Sequence, residues 1–454
     1  MSVMDLRNTI TVLGAGYVGL TTAALLAHSG FKVFAVEPNK ERLKVIKKGK
    51  SFFYEQGLDP VIKTAIKSGN LIPTDSYKVS VSKSDVIFSS VGTPDNPDGS
   101  SNLTYVFSAA KEAAKYMKHG AIYVQKSTVP VGTGNIIEDS FADLDKNISY
   151  VSNPEFLREG TALYDTLFFD RVVAGGKDKK SVNQILNIYR QLEENRDKIA
   201  EISRVEVNPR KGKYIATSLN SAELIKVTAN AFLALKISFA NSIAKLADKV
   251  DADVVEVMDA VGADERIGRA FLNAGRGYGG GCFPKDVSGL IASGMQNGID
   301  LGIMNAAQTL NSSMPGYIVE KLQNAIGGNL DGKKVAVLGL AFKSGTSDVR
   351  RSPGVLLANS LNKANAIVTT FDPQANHEAS EDLRKGIIQC ESIENAIKDV
   401  DSIVIATEWP EFLNYDLKIY AKIMHNGKIF VDAINCFPVM DIKSAGMEYI
   451  GVGR

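Results

Sequence analysis

A glycine turn set between two strands constrains this chain more than any other feature. Asn8-Thr-Ile-Thr-Val-Leu13 reads as a buried strand, Gly14-Ala15-Gly16-Tyr17-Val18-Gly19 follows, and an apolar helix is predicted from Leu20 to about Ser29. A second strand, Lys32-Val-Phe-Ala-Val36, ends at Glu37. Strand, Gly-x-Gly-x-x-Gly, helix, strand and an acid roughly 20 positions on is the dinucleotide fingerprint in the context it requires. Gly14 makes the tight turn, Gly16 lets a pyrophosphate approach the backbone, and Gly19 lets helix and strand pack closely. Glu37 can accept hydrogen bonds from a ribose hydroxyl and would repel a 2′-phosphate, so the frame predicts NAD rather than NADP. The competing reading is a βα turn that binds nothing.

A second constraint is Cys282, in the run Gly275-Arg-Gly-Tyr-Gly-Gly-Gly-Cys-Phe-Pro-Lys-Asp286. Glycines at 275, 277, 279, 280 and 281 allow positive φ angles and an inward-facing nest of N–H groups. Pro284 suits the first turn of a helix, which puts Cys282 at that helix's positive end. Lys285 adds positive charge. All three features favour a thiolate nucleophile. A glycine turn with a small buried cysteine is the alternative.

The 454 residues exceed one ordinary core and imply two or three domains. A net charge of +1 gives no sign of nucleic acid or an anionic membrane as partner. No apolar run approaches the roughly 20 residues needed to span a bilayer, and the N-terminus lacks a signal-peptide core. Cys282, Cys390 and Cys436 make no disulfide framework, so a reducing cytoplasmic setting is expected. His28, His119, His377 and His425 are scattered, and no metal is expected.

Residues 1–205 alternate strand and helix, with strands expected near Val86-Ser90, Ala121-Lys126, Tyr150-Ser152 and Arg171-Ala174. From Tyr214 to Val261 there is neither Gly nor Pro, which predicts a long helix and the start of another. Its stretch Ala229–Ala240 is apolar on nearly every face and is expected to be buried all round, as a linker and subunit interface. A third block opens at Gly332 with the strand Lys333–Leu338, then Ala366–Phe371, Ser402–Ala406 and Lys428–Asp432. Gly339-Leu-Ala-Phe-Lys-Ser-Gly345 has the wrong spacing for a dinucleotide, so a mononucleotide-type ligand fits better. The expected fold is α/β: two Rossmann-like, doubly wound parallel-sheet domains joined by a long central helix. The expected boundaries are 1–205 for the NAD domain, 206–325 for the helical region with the cysteine loop, and 326–454 for the second Rossmann-like domain.

Further chemistry sits at strand ends. Ser127 and Thr128 stand where a strand meets a helix, either at the ligand-facing sheet edge or as a helix cap. Asn153-Pro-Glu155-Phe-Leu-Arg-Glu159 reads as N-cap, Pro at N1 and two carboxylates on one helical face, whether functional or as dipole partners. Lys226 and Asn230 are i and i+4 on the apolar helix, where a lysine is paired, snorkelling or functional.

GAGYVG, KSTVPVGT, NPEFLREGTA, SAELIKVTANAFLALKISFAN, RIGRAFLNAGRGYGGGCFPKD and LGLAFKSGTSDVRRSPG, in that order and spacing, resemble the UDP-glucose 6-dehydrogenases, a family within the nucleotide-sugar dehydrogenases. The resemblance covers residues from about 8 to about 437, nearly the whole chain. It implies an NAD domain, a long dimerisation helix and a C-terminal domain holding uridine diphosphate. It also implies oxidation of the sugar C6 alcohol to a carboxylate by two NAD⁺ through a cysteine-linked intermediate. On this pattern Lys226 is the base and oxyanion neutraliser, Asn230 an oxyanion donor, Cys282 the nucleophile and Glu155 the activator of the hydrolytic water. Thr128 and Glu159 match positions that orient water and cofactor, and Asp286 one that holds that water.

The resemblance extends the NAD contacts beyond the glycine turn to Arg42, the segment Val91-Gly92-Thr93-Pro94, Ser127, Lys285 and Arg350. UDP-sugar contacts match Lys343 beside Phe342, the loop with Asn273, Gly275, Tyr278 and Gly279, and Phe156, Leu157 and Arg158 flanked by the two glutamates. Arg266 matches an arginine that reaches the neighbouring subunit's site, so a homo-oligomer, at least a dimer, is implied. Two departures stand out. Gly281 replaces the usual serine before the cysteine, a change expected to be tolerated. Ile434, in Val431-Asp-Ala-Ile-Asn435, replaces an arginine that commonly contacts substrate, which leaves GDP-mannose or a UDP-N-acetylhexosamine as alternative sugars. Phe283–Asp286 and Asp170-Arg-Val-Val point to the glucose branch. A two-electron hydroxyacid-type dehydrogenase needs neither Cys282 nor the third block. A non-catalytic nucleotide-sugar sensor would not need Cys282, Lys226 and the glutamate pair.

Overall fold

Short β-branched and apolar runs become the strands of two sheets, seen here in a computed structural model that describes residues 9–96, 98–424 and 428–454. Asn8, the expected start of the first strand, and His425 lie outside those residues. The chain divides into two units, Met1–Ala229 and Asn230–Arg454.

In the first unit the strands are β1 (Thr9–Leu13), β2 (Lys32–Val36), β3 (Leu71–Thr74), β4 (Val86–Ser89), β5 (Ile122–Gln125), β6 (Ser149–Ser152), β7 (Arg171–Gly175) and β8 (Lys213–Thr217). Their order across the sheet is β3-β2-β1-β4-β5-β6-β7-β8. Every pairing is parallel except β6 with β7, which meet antiparallel at Ser152 opposite Gly175. The chain leaves β1 for β2 on one side and β4 lies on the other, so a topological switch point falls between β1 and β4, where ligands bind in such sheets. Alternate residues of β1 serve the two faces: Ile10 and Val12 join one buried cluster, Leu13 the other.

Helix α1 (Tyr17–His28) starts three residues earlier than the apolar pattern suggested, because Gly16 is its N-cap. No side chain caps it and no acid stands in its first turn. A helix start whose N-cap residue supplies no side chain and whose first turn carries no acid suits an anion. The three glycines hold distinct positions. Gly14 has φ of 84°. A Cβ on Gly19 would lie 1.8 Å from the Gly14 carbonyl oxygen, whereas one on Gly16 would meet nothing within 4 Å.

The second unit contains β9 (Lys334–Leu338), β10 (Ile367–Phe371), β11 (Ile388–Gln389), β12 (Ser402–Ile405), β13 (Ile429–Asp432) and β14 (Glu448–Ile450). Their order is β11-β10-β9-β12-β13-β14, all parallel, which is the doubly wound dinucleotide order with its switch point between β9 and β12. Val335 and Val337 face one buried cluster and Ala336 and Leu338 the other. Gly339 and Gly354 repeat the Gly14 and Gly19 device: a Cβ on Gly354 would lie 2.3 Å from the Gly339 carbonyl oxygen. Here, however, the following helix, Pro353–Lys363, is capped by the Ser352 hydroxyl, which accepts the Gly354 N–H.

The residues between Tyr214 and Val261 form the end of β8, one helix at Leu219–Val250 and a second at Val254–Gly262. The long helix is not buried all round. Ala231, Ala234, Ala240, Ala244 and Ala247 pack inward, while Phe232, Phe239, Leu246 and Val250 form an outward stripe, each between 49% and 61% exposed. Small residues on one edge and large ones on the other separate the two faces, which counting apolar residues alone does not reveal. By length and composition this helix is also apolar enough to cross a membrane, contrary to the sequence expectation. Its charges are engaged within protein: Asp248 accepts from Tyr317, Lys321 and the Gly453 N–H.

The glycine geometry separates packing from binding. Gly19→Ala is expected to cost ~2 kcal/mol or more, read as a fall in Tm of the ligand-free protein. Gly16→Ala is expected to leave that Tm unchanged, and an equal loss in both variants would contradict the distinction.

Candidate active site

At the switch point of the first sheet, the loop ends after β4 and β5 are tied together. The Ser127 hydroxyl donates to the Val91 carbonyl at 2.6 Å, joining the Ser127-Thr128 turn to Val91-Gly92-Thr93-Pro94. The Ser127 hydroxyl is thus spent on the loop frame and caps no helix. Glu37 is buried at the end of β2, and its Oε1 accepts the Asn39 N–H at 2.9 Å, leaving Oε2 for a further donor. Ala15 is buried behind the glycine turn, Val18 is half-buried, and Tyr17 packs on Phe53. The Arg42 guanidinium lies over Phe52. Bare helix start, open space before Gly16 and a buried acid at the second strand end together fit a dinucleotide.

The segment Asn153–Gly160 differs from the helix expected there. It is irregular, and the next helix is Ala162–Leu167. Asn153 caps nothing; its Nδ2 donates to Val173 O and its Oδ1 accepts from the Tyr189 hydroxyl, which in turn accepts from Lys126 Nζ at 2.8 Å. Tertiary bonds have claimed the side chain that a helix would have used. Glu155 therefore turns inward. Its Oε1 lies 3.1 Å from Lys226 Nζ, both side chains being at least nine-tenths buried, and its Oε2 accepts the Leu157 N–H. The lysine on the apolar face is thus paired. Two cations lie over the Phe156 ring, Arg171 at 3.9 Å and Lys226 at 5.4 Å from its centre. Arg158 forks onto Asp165. Glu159 follows at the turn before Gly160, whose N–H is held by Glu55.

Glu223 was not singled out from the sequence, although an acid one turn before Lys226 on an apolar helix is a visible signal. It is buried and accepts the Gly132 and Gly134 N–H groups at 2.7 and 2.8 Å, clamping the helix start that follows Thr128. Burial pushes its carboxyl up to about 7, against the pull of those two donors.

In the second unit Cys282 is the N-cap of the helix Phe283–Gln296, with Pro284 in its first turn. Gly277 and Gly280 have φ of 91° and 83°, as the nest requires. The loop is pressed against residues 342–353: a Cβ on Gly279 would lie 2.3 Å from Arg351 O, and one on Gly280 2.9 Å from the Phe342 ring. Gly281 faces the Arg350 guanidinium, 2.5 Å from where a Cβ would sit, so a serine here would have to displace that side-chain tip. Asp286 is buried one turn after Cys282; it accepts from Asn230 Nδ2 at 2.6 Å and from Lys285 Nζ at 2.7 Å. Lys343 lies over the Phe342 ring, and Tyr278 is held by Asn311 through both its backbone groups. Gly275 donates its N–H to Asn241 Oδ1, and Asn273 accepts from Arg269. Arg266 is exposed and paired with Asp264. Ile434 follows β13, where Asp432 Oδ1 accepts its N–H. Among the described residues, no group of three or more His, Cys, Asp or Glu is placed to hold a metal ion.

Three family models match in chain order. They are the NAD binding domain, the central domain and the UDP binding domain of the UDP-glucose/GDP-mannose dehydrogenase family, at residues 8–193, 220–313 and 336–439. The chain is 37% identical over 448 residues to UDP-glucose 6-dehydrogenase YwqF of Bacillus subtilis strain 168, covering 98% of this chain and 97% of that protein. Among solved structures, a UDP-glucose dehydrogenase from the archaeon Pyrobaculum islandicum is similar at 34% identity and a TM-score of 0.87, over 100% of both chains. A UDP-D-ManNAc dehydrogenase from Pyrococcus horikoshii is similar at 28% identity and a TM-score of 0.84, over 98% of this chain and 99% of that one.

The Glu223 clamp carries a pH signature. The folded state holds this proton more tightly than the unfolded chain, so the stability it lends is complete below the ordinary glutamate range and drains away as pH rises toward about 7. Relative to Glu223→Gln, the wild type is expected to lose Tm across that window and to run parallel above it. A constant difference between the two melting curves would contradict the assignment.

Proposed function

The chain belongs to the UDP-glucose/GDP-mannose dehydrogenase family and is an NAD-dependent dehydrogenase; from that premise we propose that it oxidises UDP-glucose at C6 to UDP-glucuronate. The observation that carries the reading is the pairing of chemistry within each unit. Lys226 faces Glu155 in the first, and in the second Cys282 heads a helix whose first turn carries Lys285 and Asp286, the latter accepting from Asn230. The domains proposed are 1–205 for NAD, 206–325 for the central helical region with the cysteine, and 326–454 for the UDP-sugar.

The glycine turn, Glu37, Arg42, Val91–Pro94, Ser127, Thr128, Glu159, Lys285 and Arg350 would hold NAD, which supplies a hydride acceptor once for each of two oxidations. Lys226, once deprotonated, takes the C6 hydroxyl proton through water, and then as an ammonium beside the Glu155 carboxylate offsets the charge on oxygen. An amide NH₂ carries two donors. Asn230 gives one to Asp286, and the other serves the oxyanion. The Cys282 sulfur adds to the aldehyde carbon, forming a C–S bond and a thiohemiacetal. Loss of the second hydride leaves a thioester. Water activated by Glu155 attacks it, breaking the C–S bond and returning the thiol. Alcohol, two NAD⁺ and water thus become carboxylate, two NADH and three protons.

Asn273–Gly279, Phe342 and Lys343 would wrap the nucleotide-sugar. The outward stripe Phe232, Phe239, Leu246 and Val250 supports a homodimer at least, to whose second site Arg266 reaches. Only three cysteines in 454 residues suit a reducing cytoplasm. Ile434 favours one second reading, the same chemistry on a UDP-N-acetylhexosamine.

With UDP-glucose we expect two NADH per sugar, and a loss of turnover of 10³-fold or more in Cys282→Ser. One NADH per sugar would mean a two-electron enzyme that releases aldehyde. No turnover with UDP-glucose but turnover with UDP-N-acetylmannosamine would move the sugar assignment. Phe232→Asp with Phe239→Asp is expected to yield monomers by light scattering; an unchanged assembly would place the interface elsewhere.

A further inference from the structure

Arg276 interrupts the glycine run before Cys282; it lies within the loop proposed to wrap the nucleotide-sugar, but no role has been given to its own side chain. Its guanidinium lies at the switch point of the second sheet. Nη2 donates to Phe342 O at 2.9 Å, after β9, and to Thr407 Oγ1 at 3.4 Å, after β12. Its backbone N–H donates to Ala433 O at 2.7 Å, after β13. The residue is 4% exposed, and its Nε has no partner among the described residues.

Two acids attract this cation, Asp372 and Glu408, and other donors already hold both. Asp372 accepts the Leu340 and Ala341 N–H groups, those of Gln374 and Ala375, and the Trp409 indole N–H; Glu408 accepts from Ser344. A buried guanidinium with a donor to spare is costly unless an anion completes it. Burial alone pulls it below the usual arginine range.

Two more observations point the same way. The helix start that would meet a phosphate in this sheet is closed by Ser352, unlike the bare start of α1. And Ile434, where the family resemblance implies an arginine, lies against this loop: a Cβ on Gly275 would lie 3.1 Å from Ile434 Cα.

We propose that Arg276 is the cation that receives the diphosphate of the nucleotide-sugar, in place of the arginine replaced by Ile434. This rests on the reading that the second unit binds a uridine diphosphate. A charge has moved between two touching backbone segments, so the crevice keeps its sign while the cation enters from the glycine loop.

The test compares dissociation constants for UDP and uridine, by calorimetry and ligand-observed NMR, in the wild type and Arg276→Gln. Glutamine retains a donor for Phe342 O and removes the charge. UDP is expected to weaken tenfold or more and uridine by less than twofold, and adding Ile434→Arg to recover UDP binding to within threefold. Equal weakening of both ligands, or of neither, overturns the proposal, and failed recovery overturns the exchange of position. If the glutamine variant does not fold, Arg276→Lys decides: UDP several-fold weaker with uridine unchanged supports the proposal, and any equal effect on both overturns it. A wild type that binds no UDP would instead overturn the reading of the unit itself.

Discussion

The first unit is organised around one buried contact, the Lys226 ammonium against the Glu155 carboxylate at 3.1 Å. Taking both charges out of water costs several kcal/mol per ion, and mutual attraction offsets that only with well-held geometry and further hydrogen bonds. The structure supplies them. The Leu157 N–H holds the second carboxylate oxygen, and the chain Lys126–Tyr189–Asn153 pins the backbone two residues before Glu155. A helix through 153–160 would satisfy local preference and would give up the bonds that Asn153 makes. Tertiary bonding prevails, and an irregular segment delivers the glutamate to the lysine.

The same competition explains what was legible in the sequence and what was not. The βαβ frame could be read because periodicity and glycine spacing are local properties, and the central strands begin and end within about two residues of expectation. The second sheet could also be read from its apolar runs. The Asn153 segment could not, since a cap and a tertiary anchor use the same side chain. Nor could the outward stripe of the long helix: Phe232 and Ala231 are both apolar, and only packing decides which faces out. Lys226 and Asn230 announced themselves as polar groups on an apolar helix, and Cys282 through the glycines, proline and lysine around it. Glu223 and Arg276 carried the same signal but sat beside stronger motifs.

Charge in the second unit is handled sparingly. Asp286 is buried and shared between an amide and an ammonium, so the helix that begins at Cys282 opens on a neutral pair, not on a bare carboxylate. Asp372 spends both oxygens on backbone and indole donors and thereby fixes the loop that leaves β9. Acids that frame the crevice are consumed by the frame, which leaves cations to set its field.

The contact of Gly354 with the Gly339 carbonyl has a consequence of another kind. In the first unit the two matching glycines stand five residues apart, so the turn between them has almost no freedom to change. In the second, fifteen separate them, and the intervening stretch carries Phe342, Lys343 and Arg350. The anchor points of sheet and helix are thus uncoupled from the residues proposed to meet a ligand. Drift in that stretch can change its side chains without disturbing how the layers pack, so the second unit is free to diversify where the glycine turn of the first is not.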